Sequence, residues 1–161
     1  MSQVKNYLEL LVRAETRKMD SSYHAAFYLL SFDSELSKVA EKYVDEDGVD
    51  FAAIKRATRG FDEISRQVID IAHNLFSWTS KCKTTPFDLS RLGYPYLELA
   101  CNAVFIAAGE YQITLDAENT NNPWLQIDRS NYQRTVRLHQ SLEQMHLNML
   151  EQRDEEMDME Q

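Results

Sequence analysis

The fold class is decided by the segment Glu63-Ile64-Ser65-Arg66-Gln67-Val68-Ile69-Asp70-Ile71-Ala72-His73-Asn74-Leu75-Phe76. Its apolar residues recur at intervals of three and four positions, which places them on one face of an α-helix. The residues on this face are Ile64, Val68, Ile71, Ala72 and Leu75. The segment therefore predicts an amphipathic helix that packs against other helices and ends near Trp78.

The same period continues towards both ends of the chain. Val4, Tyr7, Leu8, Leu11 and Val12 mark a first helix that runs to about Met19. Four Gly and three Pro residues leave few tight turns for a many-stranded sheet. We therefore expect an all-α fold, a compact bundle of about six to eight helices with a long C-terminal helix.

Capping signals separate these helices. Side chains that can cap a helix N-terminus occur at Asp20, Ser21 and Ser22 before the second helix, at Asp33 or Ser34 before the third, and at Asp50 before the fourth. The segment Thr85-Pro86-Phe87-Asp88 combines a Thr cap, Pro at the first helical position and an acid three residues after the cap. Gly48 supplies the positive φ that ends the helix before it.

The nearly all-apolar helix that starts at Pro95 is expected at the centre of the core. Its apolar residues are Leu97, Ala100, Cys101, Val104, Phe105 and Ala108, and we expect the Cys101 thiol to be buried and inert. Cys82 and Cys101 are predicted to be reduced thiols, since no CxxC motif accompanies them. From Glu110 to Asn131 the helical period is lost, and a surface excursion is expected, in which Gln112-Ile113-Thr114-Leu115 forms either a short strand or an extended segment.

The last helix, about Asn131 to Arg153, has its apolar residues at alternating steps of four and three, as in a coiled-coil seam. They are Leu138, Leu142, Met145 and Met149. Two interpretations stay open, a helix docked on its own core and a seam for a homodimer. The domain organisation is predicted as one helical domain over residues 1–153 and a frayed acidic tail over 154–161.

Charge excludes one class of function. The formal net charge is −9, whereas a nonspecific nucleic-acid binder needs a surplus of Lys and Arg. Six of the acids lie in the last eleven residues, namely Glu151, Asp154, Glu155, Glu156, Asp158 and Glu160. No stretch resembles a signal peptide or a membrane span, so the sequence predicts a cytoplasmic protein without direct contact to nucleic acid or membrane.

No motif in the sequence carries recognisable chemistry. Glu143-x-x-His146 and Asp70-x-x-His73 have the spacing of carboxylate-bridged metal sites, but the helical wheel turns Asp70 and His73 away from the apolar stripe. With Gly48 as the sixth residue of a calcium loop, Tyr43 and Ile54 would occupy ligand positions that neither can fill. The chain also lacks a Gly-rich phosphate loop. We therefore predict no catalytic residue, no metal ligand and no cofactor.

Surface features supply the candidate functional residues. A basic cluster of Lys55, Arg56, Arg59 and Arg66, with Lys81 and Lys83 further along, either balances nearby acids or contacts an anion such as a phosphate or an acidic partner. The candidate interface comprises the acidic turn Asp45, Glu46, Asp47 and Asp50, the seam Leu138, Leu142, Met145 and Met149, and Trp124. Trp124 either anchors a partner or folds back over the core.

Four segments carry a resemblance to a known family. They are His24–Leu30, Asp47–Phe51, Thr85–Leu89 and Leu97–Ala103, and together they resemble a family of small uncharacterised proteins from Gram-positive bacteria, their phages and their mobile elements. The resemblance spans about Ser21 to Ala108. It implies a bacterial or phage origin and no functional residue.

Three hypotheses of function follow from these features. The first is a non-enzymatic interaction protein, a phage or mobile-element inhibitor of the anti-CRISPR type whose acids dock on a basic nucleic-acid-binding effector of the host. The second is a dimeric regulator or toxin–antitoxin-type protein that acts through its C-terminal helix. The third is an enzyme with a site assembled from distant residues such as His24, His73 and His139.

Overall fold

Eight α-helices make up most of the residues 2–15, 20–115 and 123–161 that the computed structural model describes. They are α1 (Gln3–Arg13), α2 (Ser21–Leu30), α3 (Ser34–Glu41), α4 (Phe51–Ala57), α5 (Glu63–Phe76), α6 (Pro86–Ser90), α7 (Tyr96–Ala107) and α8 (Ser130–Met159). Strand β1 (Val44–Asp45) pairs antiparallel with β2 (Gly48–Val49), and β3 (Gln112–Thr114) pairs antiparallel with β4 (Gln126–Asp128). The predicted helical class and the long C-terminal helix are confirmed, and of the two alternatives for residues 112–115 the structure shows the strand.

The chain divides into two compact units, Met1–Asp128 and Arg129–Gln161. This division does not coincide with the predicted boundary at residue 153. Helix α8 continues to Met159 and does not end near Arg153, because its last turns are rich in Glu and Met and hold no Gly or Pro that would stop a helix.

Two expected features fall partly outside the described residues. The prediction that the first helix runs to about Met19 is wrong: α1 ends at Arg13, with Ala14 as its C-cap and Glu15 at a positive φ of 45°, before the undescribed stretch 16–19. The Asn-rich part of the excursion between Glu110 and Asn131 includes residues 116–122, which are likewise outside the description.

Aspartate side chains start four of the helices. The first-turn backbone N–H groups of a helix have no partner within it, so a carboxylate that accepts from them is stabilising. The pairs of cap and donor are Asp20 with Ser22 and Tyr23, Asp33 with Leu36, Asp50 with Ala53, and Asp62 with Ser65. At α6, Thr85 and Asp88 form the predicted capping box. These local signals fix the helix starts.

Helix α2 occupies the centre of the first unit. Every residue from Ala25 to Leu30 is buried, and the helix packs against both α5 and α7. The small side chains of Ala25 and Ala26 let neighbouring helices approach closely. The prediction that α7 is the central helix is wrong, because Leu97, Cys101 and Val104 form an exposed stripe on it.

Buried amide side chains tie α1 to its surroundings. Asn6 donates from Nδ2 to the Ser31 carbonyl at 3.0 Å. Gln3 donates from Nε2 to the Tyr28 carbonyl at 3.1 Å and accepts the backbone N–H of Leu125 on Oε1 at 3.0 Å. Because buried polar groups are costly without partners, these bonds fix the position of α1 on α2.

Truncation of the core at α2 should destabilise the chain strongly. Leu30 is fully buried, so Leu30→Ala should lower the free energy of unfolding by about 2–5 kcal/mol through lost burial and a residual cavity. Val12→Ala, at an exposed position on α1, is the control and should change it by less than about 0.5 kcal/mol. Urea unfolding followed by circular dichroism measures both, and equal effects would contradict the burial assignment.

Candidate anion-binding cleft

The carboxylate of Asp70, on α5, holds the loop that follows this helix. Its Oδ2 accepts the backbone N–H groups of Lys83 at 2.8 Å and Thr84 at 3.0 Å, and the Thr84 hydroxyl at 3.0 Å. The Cys82 thiol donates to the same oxygen at 3.4 Å. Its Oδ1 accepts from the Lys55 ammonium, on α4, at 3.2 Å. One side chain therefore joins α4, α5 and the 77–85 loop.

The ionisation of Asp70 reflects these bonds. Burial by itself would raise the pKa of this carboxyl, but the hydrogen bonds from Lys83, Lys55 and Thr84 favour the charged form and lower the pKa below the usual Asp value. Asp70 is therefore a charged, fully engaged anchor. It is not a base that is free to take a proton from a ligand.

A cleft of about 520 Å³ opens beside this anchor. Five cationic side chains line it, Lys55, Arg59, Arg66, Lys81 and Lys83, together with the acids Glu63, Asp70 and Asp88. Lys55 pairs with Asp70 at 3.2 Å, and among the described residues no ion pair within 4.0 Å is seen for Arg59, Arg66, Lys81 or Lys83. The other four cations therefore face the cleft without a carboxylate partner at that distance. The local charge is positive although the chain as a whole is acidic.

Local structure explains how the cations converge. Arg59 lies in the turn after α4, where the buried Thr58 hydroxyl donates to the Ile54 carbonyl at 2.8 Å and fixes the turn. Arg66 lies in the first half of α5, whose start is capped by Asp62. Lys81 and Lys83 lie in the loop that Asp70 holds.

Most, but not all, residues of the predicted basic cluster line the cleft. The structure brings Lys55, Arg59 and Arg66 together with Lys81 and Lys83, whereas Arg56 is exposed and does not line the cleft. Arg56 follows Lys55 directly, and a step of one residue turns a side chain by about 100° around a helix. Anion contact by these residues stays a prediction.

The predicted acidic turn is a β-hairpin. Asp45, Glu46 and Asp47 are exposed at its tip, and Asp45 accepts the backbone N–H of Asp47 at 2.9 Å. Asp50 caps α4. The prediction that Gly48 ends the preceding helix is wrong: α3 already ends at Glu41, and Gly48 lies in β2, where its φ of +137° belongs to the hairpin. Asp45 and Asp50 therefore have local structural roles, in the turn of the hairpin and at the start of α4.

Trp124 is half-exposed and lies against the first unit's own surface. Its ring stacks on Phe32 with centroids 4.9 Å apart. A role of Trp124 as an anchor for a partner stays a prediction.

The two histidines of the first unit are engaged in its packing. The Nδ1 atom of His24 is hydrogen-bonded to the buried Tyr7 hydroxyl, and His73 stacks on Phe51 with centroids 4.6 Å apart. Burial lowers the pKa of both imidazoles. His139 is exposed on α8. No group of three or more His, Cys, Asp or Glu within metal-binding reach occurs in the described part of the chain.

Both cysteines are free thiols, and the predicted burial of Cys101 is wrong. Cys101 lies on the exposed stripe of α7, because α2 and α5 pack on the opposite face of that helix, where Ala100 and Ala103 are buried. Burial and the neighbouring Asp70 carboxylate raise the pKa of the Cys82 thiol. Cys82 is therefore held mainly in the protonated form that donates to Asp70.

Comparison with known proteins gives no family. No family model, curated protein or solved structure matches the chain. The resemblance to Gram-positive and phage proteins accordingly stays a prediction. None of the described helices is both long enough and apolar enough to cross a membrane.

Asp70→Asn should destabilise the first unit in a pH-dependent way. Because the pKa of Asp70 is lowered by folding, its carboxylate stabilises the fold above the unfolded-state pKa near 4 and loses this effect as pH falls through the lower folded-state value. At neutral pH we expect a loss of about 1–3 kcal/mol in the free energy of unfolding, shrinking below about pH 4.

The matched control is Asp47→Asn, which removes the same charge from an exposed turn. Urea titrations across a pH series measure both variants. A loss that is independent of pH, or one equal to that of the control, would contradict the role of the carboxylate.

Proposed function

We propose that this chain is a binding protein whose cleft holds a small molecule carrying several phosphate groups. The observation that supports it is the convergence of Arg59, Arg66, Lys81 and Lys83, without an ion-pair partner within 4.0 Å, on one cleft of a chain with net charge −9. Like charges that converge on one cleft repel one another, and an anionic ligand bound between them would offset this repulsion.

The composition of the lining favours phosphate over other anions. Arg guanidinium groups bind phosphate oxygens through two parallel N–H bonds, and Lys ammonium groups add point charge. The cleft volume lies within the usual range for small-molecule sites. No aromatic ring is among the lining residues, so a nucleobase would find no stacking partner there. Recognition through the phosphate groups therefore fits the lining best.

Two of the acids in the cleft are engaged in hydrogen bonds and are not free to act as a base on a ligand. The third acid repels anions, so the cleft favours a ligand with several negative charges. Asp70 is occupied by the loop, and Asp88 accepts the Thr85 N–H and hydroxyl in the capping box. Glu63 is exposed in the first turn of α5 and opposes a weakly charged anion. A ligand with several phosphates offsets that repulsion.

Inorganic pyrophosphate is the probe that tests this proposal by isothermal titration calorimetry. Arg66→Gln and Lys83→Gln should each weaken binding roughly tenfold, since each removes a charge-assisted hydrogen bond. Added salt should weaken binding further.

Arg56→Gln is the control, because it removes an equal charge from an exposed position beside the cleft. It should leave the affinity nearly unchanged. Absence of pyrophosphate binding by the unaltered chain, or an equal loss in the Arg56 variant, would refute the proposal.

The predicted inhibitor of a nucleic-acid-binding effector is a second candidate, and one feature of α8 favours it. The six acids of the last eleven residues are exposed, and five of them lie within this continuous helix, with Glu160 at its C-cap. A helix presents carboxylates at regular positions, which suits a basic channel that otherwise holds phosphates.

A pull-down from bacterial lysate, followed by displacement with a DNA oligonucleotide, tests the inhibitor hypothesis. The full chain should retain a nucleic-acid-binding protein that the oligonucleotide releases, and a chain ending at Leu150 should retain much less of it. Retention that is insensitive to both DNA and truncation would argue against this role.

A further inference from the structure

Helix α8 has an apolar seam that nothing in its own unit covers. No residue of this helix is buried, and its seam residues are all exposed, namely Leu138, Leu142, Met145 and Met149. They alternate at steps of four and three residues, so they form one narrow stripe along the helix. A stripe of this kind usually marks a helix that packs against another helix.

The charge of α8 is divided between its two ends. Arg134 and Arg137 lie in the N-terminal turns, whereas six acids and one cation, Arg153, lie after Leu150, which leaves that end strongly negative. This distribution is unfavourable within a single helix, because the C-terminal end of the helix dipole is itself negative. A neighbouring helix that places positive charge beside the acidic end would offset the repulsion.

We propose that α8 pairs with α8 of a second copy of the chain in antiparallel orientation. In this arrangement Leu138 faces the partner's Met149, and Leu142 faces the partner's Met145, so the seam is covered symmetrically. Arg134 then lies near the partner's Glu155, and each acidic end lies beside a basic end. A parallel pair would instead place the two acidic ends together, which opposes association.

The length of α8 fits this pairing. The seam is centred between Leu142 and Met145, and α8 extends about equally far on both sides, from Ser130 to Met159. An antiparallel pair about this centre therefore overlaps along nearly the whole helix. Beyond the apolar stretch, Thr135 faces the partner's Gln152, so the ends of the seam are polar and its middle is apolar.

Analytical ultracentrifugation of the full chain at several concentrations tests self-association. The chain should sediment as a dimer that dissociates on dilution, and Leu142→Asp should raise the dissociation constant by about 30-fold or more. Leu147→Asp is the matched control, because Leu147 is 52% exposed against 53% for Leu142 and lies about 140° around the same helix. A monomer at all concentrations, or an equal effect of both substitutions, would overturn the proposal.

Disulfide trapping tests the orientation. In a chain with Cys82→Ser and Cys101→Ser, an equal mixture of the Thr135→Cys and Gln152→Cys variants should form a crossed disulfide dimer. In a parallel pair these two positions are about 25 Å apart along the axis, too far for a disulfide. Crossed dimers without self-linked dimers support the antiparallel pair, and self-linked dimers of either variant alone contradict it.

Discussion

The bonds around the Asp70 carboxylate are the interaction on which the proposed site depends. They join two helices to a loop with little regular structure and thereby fix the backbone at Lys83 and Thr84. Without this anchor, the long side chains of Lys81 and Lys83 would sample many positions, and ordering them on a ligand would cost conformational entropy. A half-buried carboxylate thus organises the proposed site for anions.

Separation of charge along the chain gives an acidic protein two different surfaces. The cations of the cleft come from residues 55–83, whereas the densest acids are on the last turns of α8. The net charge of the chain is the sum over both surfaces, so it does not reveal the positive cleft or the acidic end of α8. The prediction against a nonspecific nucleic-acid binder rests on the net charge of the whole chain, and it does not bear on the binding of a small polyanion in one cleft.

Local signals in the sequence predicted most of the helices. Capping at Asp20, Asp50 and Thr85, and the stripe on α5, depend on residues within a turn or two of one another, so spacing reveals them. Asp70 was placed correctly on the polar side of α5, but its bonds to Lys83 and Thr84 depend on the path of a loop, which no period encodes. Cys101 was misplaced for a related reason: an apolar helix does not reveal which of its faces its neighbours cover.

The most direct test of this account is the affinity of the Asp70→Asn variant for pyrophosphate, measured at neutral pH and low temperature where the variant stays folded. Charge alone predicts tighter binding, because the substitution removes a negative charge from the cleft. The account predicts weaker binding, because the loop that carries Lys81 and Lys83 loses its anchor. Unchanged or tighter binding would contradict it.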